Sequence, residues 1–188
     1  MGAMSRFRAL AALLILIWII ELVNFLTGHA LNHFGLLPRH WSGLPGIFLA
    51  PLLHGNFTHL FSNTGGLLAL GGLVAMQGER YYITVTLAIV LFSGILVWLF
   101  GRPALHIGAS GLVFGYFGLL LGRAWYTRTL TAILIGAVVI ALYGSLLWGL
   151  NPLQKFVSWE GHLAGLVAGL AVASLYRKRR VTGTTWTD

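Results

Sequence analysis

A chain of 188 residues that is 57% hydrophobic and only 9% charged cannot cover a soluble surface, which normally carries about a quarter charged residues. A water-soluble enzyme is excluded, and one membrane-embedded domain fits. There is no cysteine, so neither a disulfide framework nor a thiolate metal site is possible, and the formal charge of +8 would suggest nucleic acid only if it formed a single basic face.

Residues 1–8 are a short basic lead, in which Met1-Gly2-Ala3 before Met4 reads as an expression remnant. The first apolar run covers about 9–27, close to the roughly 20 residues that a spanning helix needs. It lacks a small-x-small cleavage site, so it reads as retained. Glu21 and Asn24 lie near its far end, where interfacial or interhelical hydrogen bonding is the plainest reading and a functional role the alternative. Gly28 to Phe57 is a long loop with His29, His33, His40, three prolines, Trp41 and Phe48. Its apolar content predicts a segment lying in the membrane interface.

The second span is expected at 58–76, with Gly65, Gly66, Gly71 and Gly72 permitting close packing. His59 and Asn63, four residues apart, share one face near its start. Gln77 to Arg80 reads as a polar turn and 81–100 as the third span. Pro103 breaks the loop that follows. A fourth apolar helix is expected at 110–123, too short to cross about 30 Å at 1.5 Å per residue. Its start at Ser110 would then lie inside the membrane plane, where a dipping loop must line a wet cavity or be buried in protein. Arg123 to Arg128 reads as a basic turn, 130–150 as the fifth span, 160–176 as the sixth, and 177–188 as a basic, polar tail. The fold class is therefore all-α: a six-helix membrane bundle covering 9–176. Its glycine-containing helices, without alternating strands, exclude a barrel.

Loop charges set an orientation. With six spans, one side holds Arg6, Arg8, Arg80, Arg123, Arg128, Arg177, Lys178, Arg179 and Arg180; the other holds Arg39, Arg102 and Lys155. The basic side is expected in the cytoplasm with both termini, as in a bacterial inner membrane. This explains the positive charge without nucleic acid. All seven histidines, and Ser110, fall in the opposite half.

The chemistry converges on Gly108-Ala109-Ser110-Gly111. A serine at a helix N-terminus has unpaired backbone N–H donors beside its hydroxyl. Its small neighbours allow close approach by a substrate or another backbone. The spacing is not that of the soluble-hydrolase elbow. A serine also needs a base. His162 opens the sixth span on the same side, and Gly165 and Gly169, at i+3 and i+7, would let that helix pack on the Gly111/Gly115 face of the fourth. Glu160, two residues from His162, does not share its face, so the reading is a Ser–His dyad without a third acid. The Ser110 N–H, His59 and Asn63 are candidate oxyanion donors; polar glue between helices is the alternative for the latter two. No metal or other cofactor is called for.

Three stretches together resemble the rhomboid family of intramembrane serine proteases. Gly108-Ala109-Ser110-Gly111 is similar to the family's nucleophile motif opening the fourth helix. Glu160-Gly161-His162-Leu163-Ala164-Gly165, continuing to Gly169, is similar to the helix that carries the base. His54 to Asn63 is similar to the H-x4-H-x3-N stretch at the start of the second helix. The resemblance covers about the whole of 9–176 in a minimal six-span form. It implies Ser110 as nucleophile and His162 as general base. His59 and Asn63 would line the oxyanion hole with the Ser110 N–H, beside Gly108, Ala109 and Gly111, while His54 would support the outer loop. Phe114 stands where many relatives have a Tyr stacked on the base. The Trp-Arg pair of many relatives is missing from the first outer loop, where Pro45-Gly46 stands. The implied reaction is hydrolysis of a peptide bond in or near a substrate's transmembrane segment, with the lipid bilayer and transmembrane protein substrates as partners. Lateral entry would require movement of the fifth span. A non-catalytic relative that binds membrane clients, or a small transporter, are the rival readings.

Overall fold

The computed structural model describes residues 3–153 and 157–181. Among these the regular secondary structure is helical, joined by loops and turns, with one antiparallel bridge between Leu36 and His106. The helices are α1 (Arg8–Leu26), α2 (Gly46–Leu49), α3 (Phe57–Gly66), α4 (Gly72–Ala75), α5 (Glu79–Phe100), α6 (Ser110–Thr127), α7 (Leu130–Tyr143) and α8 (Trp159–Val181). Three helical stretches, Ser5–Leu26, Glu79–Phe100 and Leu130–Leu150, are long and apolar enough to cross a membrane by length and composition.

The helix α6 is the centre of the bundle. Its residues Leu112 to Leu120 are all buried, and it packs most extensively on α8. The cause is backbone proximity. A Cβ added at Gly165 would overlap the Gly111 carbonyl, and one at Gly169 the Gly115 carbonyl. Two turns of α8 therefore lie directly on two turns of α6, the close approach expected from those four glycines. The outward faces of α1 and α7 are apolar, with Ile15, Ile19, Leu134, Val138 and Leu142 among the exposed side chains. Such faces are stable in lipid and costly in water.

Several boundaries differ from expectation. The second span is not one regular helix: Leu67–Gly71 winds as a π-helix between α3 and α4, where glycines give the weakest preference for α geometry. The helix α6 does not end near Arg123, and 123–128 is not a turn. No breaker stands before Thr127, so the helix runs 18 residues and stops where Arg128 turns left-handed at φ 52°. Thr129 then caps α7, its hydroxyl accepting from the Ala132 N–H at 3.3 Å. Glu79 and Arg80 open α5 rather than closing a turn. The loop 28–57 is ordered into short helical turns at Ala30–Phe34, Trp41–Gly43, α2 and Ala50–Leu52. At the C-terminus α8 continues to Val181, past the expected stop at 176; the rest of the expected tail, and Lys155, lie outside the described residues.

Candidate active site

Ser110 is the first residue of α6, whose N-cap, Ala109, offers no side-chain hydrogen bond. The N–H groups of a first helical turn have no intrahelical acceptor, so this turn presents backbone donors beside the Ser110 hydroxyl. The preceding loop is fixed from both sides. Leu36 and His106 exchange backbone hydrogen bonds of 3.0 and 2.9 Å, and the Gly108 N–H donates to the Ala50 carbonyl at 2.8 Å. Gly108 has φ +111°, a region that L side chains rarely adopt, and a Cβ there would lie 2.6 Å from His59 Cε1.

His162 is on α8, buried at 8% exposure. Its Nε2 lies 2.8 Å from Ser110 Oγ, and its Nδ1 lies 2.8 Å from the Gly149 carbonyl oxygen. The Phe114 ring stacks on the imidazole, with centroids 4.2 Å apart and planes at 8°. Gly165 and Gly169 lie on the same helix against α6, so the small-residue stripe that joins the two helices also sets the serine–imidazole distance.

His59 and Asn63 are both on α3. The N-cap of that helix is Asn56, whose side chain accepts from the His59 N–H at 2.8 Å. Asn63 is 4% exposed, and its amide nitrogen is buried without a hydrogen-bond partner. Both residues, with Ser110, Phe114 and His162, line an open cavity of about 990 Å³ between α3 and the segment Tyr143–Gly149. A buried, unengaged donor at the wall of this cavity is costly unless something occupies that place. His54 lies behind this wall, fully buried, with its ring edge-on to His59 at 5.1 Å. Burial, and then the neighbouring His59, push the His54 pKa down to about 4, against a smaller opposing backbone interaction with Leu52.

Glu21 and Asn24 tie α1 to the loop 27–56. The Asn24 side chain accepts from the Leu31 N–H at 3.0 Å and donates to the His54 carbonyl at 3.2 Å. It also lies 3.3 Å from Glu21 Oε2, and Glu21 itself has no exposure. The hydrogen-bonding reading therefore describes the contacts of Asn24, whereas Glu21 accepts only from Asn24 of its own helix and keeps a buried Oε1 without a hydrogen-bond partner.

Sequence reasoning missed the clamp between the loop 101–108 and the start of α8. Ser158 caps α8: its carbonyl accepts from the His162 N–H at 3.0 Å and its Oγ from the Gly161 N–H at 3.2 Å. The same Oγ lies 2.6 Å from His106 Nδ1, and His106 Nε2 donates to the Arg102 carbonyl at 3.2 Å. Burial holds the His106 pKa below its ordinary value. Arg102 pairs with Glu160 at 3.4 Å and donates to the Val157 carbonyl at 2.7 Å. Glu160 thus faces Arg102 and not His162. A serine just before an apolar helical run is a helix-start signal that could have marked Ser158; the partners of Arg102 and His106 carry no local signal. Ser158 and His106 form a second serine–histidine contact, but that hydroxyl is committed to the helix cap.

The sequence as a whole is similar to known proteins. A family model described as Rhomboid domain matches residues 38–179. An uncharacterized protein of Mycobacterium tuberculosis is 40% identical over 169 residues, covering 85% of this chain and 70% of that protein. One of Mycobacterium leprae is 38% identical over 192 residues, 92% of this chain and 74% of the relative. The rhomboid protease GluP of Bacillus subtilis is 30% identical over 133 residues, 67% of this chain and 25% of GluP.

Proposed function

The chain belongs to the rhomboid family, and on that premise we propose that it is an intramembrane serine endopeptidase acting through Ser110 and His162. Membership itself makes it an integral membrane protein of a family of intramembrane proteases. The observation that carries the finer reading is the 2.8 Å contact between Ser110 Oγ and His162 Nε2 at the wall of an open cavity.

Ser110 Oγ attacks the scissile carbonyl carbon while its proton passes to His162 Nε2. The carbonyl oxygen becomes an oxyanion, which the Ser110 N–H, the Asn63 amide and His59 receive. The unpartnered amide nitrogen of Asn63 supports that assignment. His162 then gives the proton to the leaving amine as the C–N bond breaks, leaving an acyl-serine. Water, deprotonated by the same imidazole, attacks the acyl carbon and releases the acid and the free hydroxyl. Gly108, Ala109 and Gly111 leave room for the substrate backbone, Phe114 keeps the imidazole plane, Gly165 and Gly169 set its depth, and His54 supports His59.

The topology we assign has six crossings, with both termini and the basic turns in the cytoplasm. Arg123 marks the inner interface of α6. Ser110 is then 13 residues away, roughly 20 Å at 1.5 Å per residue, short of a hydrocarbon thickness of about 30 Å. The nucleophile would sit below the outer surface at the floor of the cavity. Substrates would be transmembrane segments that unwind locally, so Gly or Pro near the scissile bond favours cleavage. Client binding without hydrolysis is the competing reading; the intact serine–imidazole contact favours hydrolysis. A fluorophosphonate probe tests it: labelling of the wild type that disappears in Ser110→Ala and persists in Ser158→Ala is expected, and labelling that survives Ser110→Ala refutes it.

A further inference from the structure

The base has two ring nitrogens, and only one of them faces the serine. The other, Nδ1, lies 2.8 Å from the carbonyl oxygen of Gly149, in the segment Gly144–Leu150 that follows α7. A carbonyl oxygen can only accept. In the neutral imidazole the proton must then sit on Nδ1, which leaves the Nε2 lone pair facing the Ser110 hydroxyl.

We propose that the Gly149 carbonyl is a positioning group for His162, holding the tautomer that acts as base and stabilising the imidazolium formed when Ser110 loses its proton. In triad hydrolases a carboxylate occupies this place. Among the described residues no carboxylate occupies this place: Glu21 contacts Asn24, Glu79 pairs with Arg8 and Glu160 with Arg102, while Nδ1 meets the Gly149 carbonyl. The absence of a side chain at position 149 follows from the same contact. A Cβ there would stand 2.9 Å from His162 Nδ1 and 3.1 Å from Phe114 Cζ. Gly149 is not among the residues with positive φ, so the close approach, and not backbone conformation, demands glycine. Two supports thus fix the imidazole: the Phe114 ring sets its plane and the Gly149 carbonyl sets its rotation and tautomer. The second support belongs to the cavity wall opposite α3. A substrate that displaces this wall removes the acceptor, so the base is fully armed only when the wall is seated.

The proposal rests on Ser110 and His162 being the reacting pair. It is tested by replacing Leu150 with its α-hydroxy analogue in the full chain. The Gly149–Leu150 linkage becomes an ester, whose carbonyl accepts more weakly, and no atom is added against the ring. The same exchange at Leu147 is the control, because it removes an N–H from the same segment but leaves the Gly149 amide intact. Nitrogen-15 NMR of the histidine rings in detergent, with His162 identified by its loss in His162→Ala, should show a single Nδ1–H tautomer in the wild type and the control. A tautomer mixture is expected in the 149–150 ester. Against a single-span reporter, kcat should fall about tenfold in that ester with KM within twofold, as one charge-assisted hydrogen bond is weakened. An unchanged tautomer and unchanged kcat, or equal losses in both esters, would overturn the proposal. No cleavage by the wild type would overturn the protease reading instead, and the tautomer comparison would still decide the role of Gly149.

Discussion

Gly108→Ala is expected to damage stability and activity by two separable routes. Gly108 holds φ +111°, and forcing a side-chain-bearing residue into a sparsely populated backbone region costs about 1–3 kcal/mol. At roughly 2–4 °C per kcal/mol for a chain of this size, the thermal midpoint in detergent should fall by several degrees. The second route is steric. The new Cβ would stand 2.6 Å from His59 Cε1 and 2.7 Å from Nε2, whereas carbon atoms in contact prefer about 3.5 Å or more. His59 or the loop before Ser110 must therefore retreat by about 1 Å. Displacing a group that positions the reaction by that much costs on the order of 100-fold in rate, so kcat/KM for a single-span reporter should fall by about that factor. Gly72→Ala is the comparison: a Cβ there meets nothing within 4 Å, so helix propensity alone should leave stability equal or up to about 1 kcal/mol higher. A Gly108→Ala protein with an unchanged midpoint and cleavage within threefold of wild type would refute the reasoning.

Gly169→Val, whose side chain would overlap the Gly115 carbonyl, should separate α8 from α6 and lower both the thermal midpoint and probe labelling; unchanged labelling would show that the glycine contact does not set the dyad distance. Ser158→Ala removes a helix cap worth about 1 kcal/mol and the partner of His106, and should lower the midpoint while Ser110 still reacts with the probe; loss of labelling in the folded variant would contradict the structural role of Ser158. His54 supplies a pH dependence. Its pKa is about 4 in the folded protein against about 6.5 unfolded, so the unfolded chain binds the extra proton between these values. Stability is therefore fully present above about pH 6.5 and falls by about 3 kcal/mol as pH drops to 4, with His106 acting in the same direction. Thermal scans of the wild type and His54→Phe across that window should show a shallower fall in the variant; parallel curves would contradict the assignment.

Much of this arrangement is written locally in the chain. Ser110 at a helix start and the i+3, i+7 glycines of α8 are short-range patterns with one physical meaning, close helix packing, and the fold brings them together as that meaning requires. His59 and Asn63 share a face because they are four apart. What local pattern could not supply was any contact depending on where loops return. Arg102 and Glu160 are 58 residues apart, as are His40 and the Trp98 indole that donates to its carbonyl. The Gly149 carbonyl carries no side-chain signature at all. In the sequence the arginines at 123 and 128 suggest a turn, whereas Arg123 packs its guanidinium over the Tyr81 ring at 5.7 Å and lets the helix continue. The π-helix in the second span escaped because glycine pairs mark close packing and weakened α geometry alike.

The most direct test of the central claim is cleavage of a single-span reporter in proteoliposomes by purified wild type, Ser110→Ala and His162→Ala. Cleavage by the wild type that vanishes in both variants, with all three proteins folded, is the expected result. Cleavage that persists without the Ser110 hydroxyl would contradict the assignment of this serine as the nucleophile.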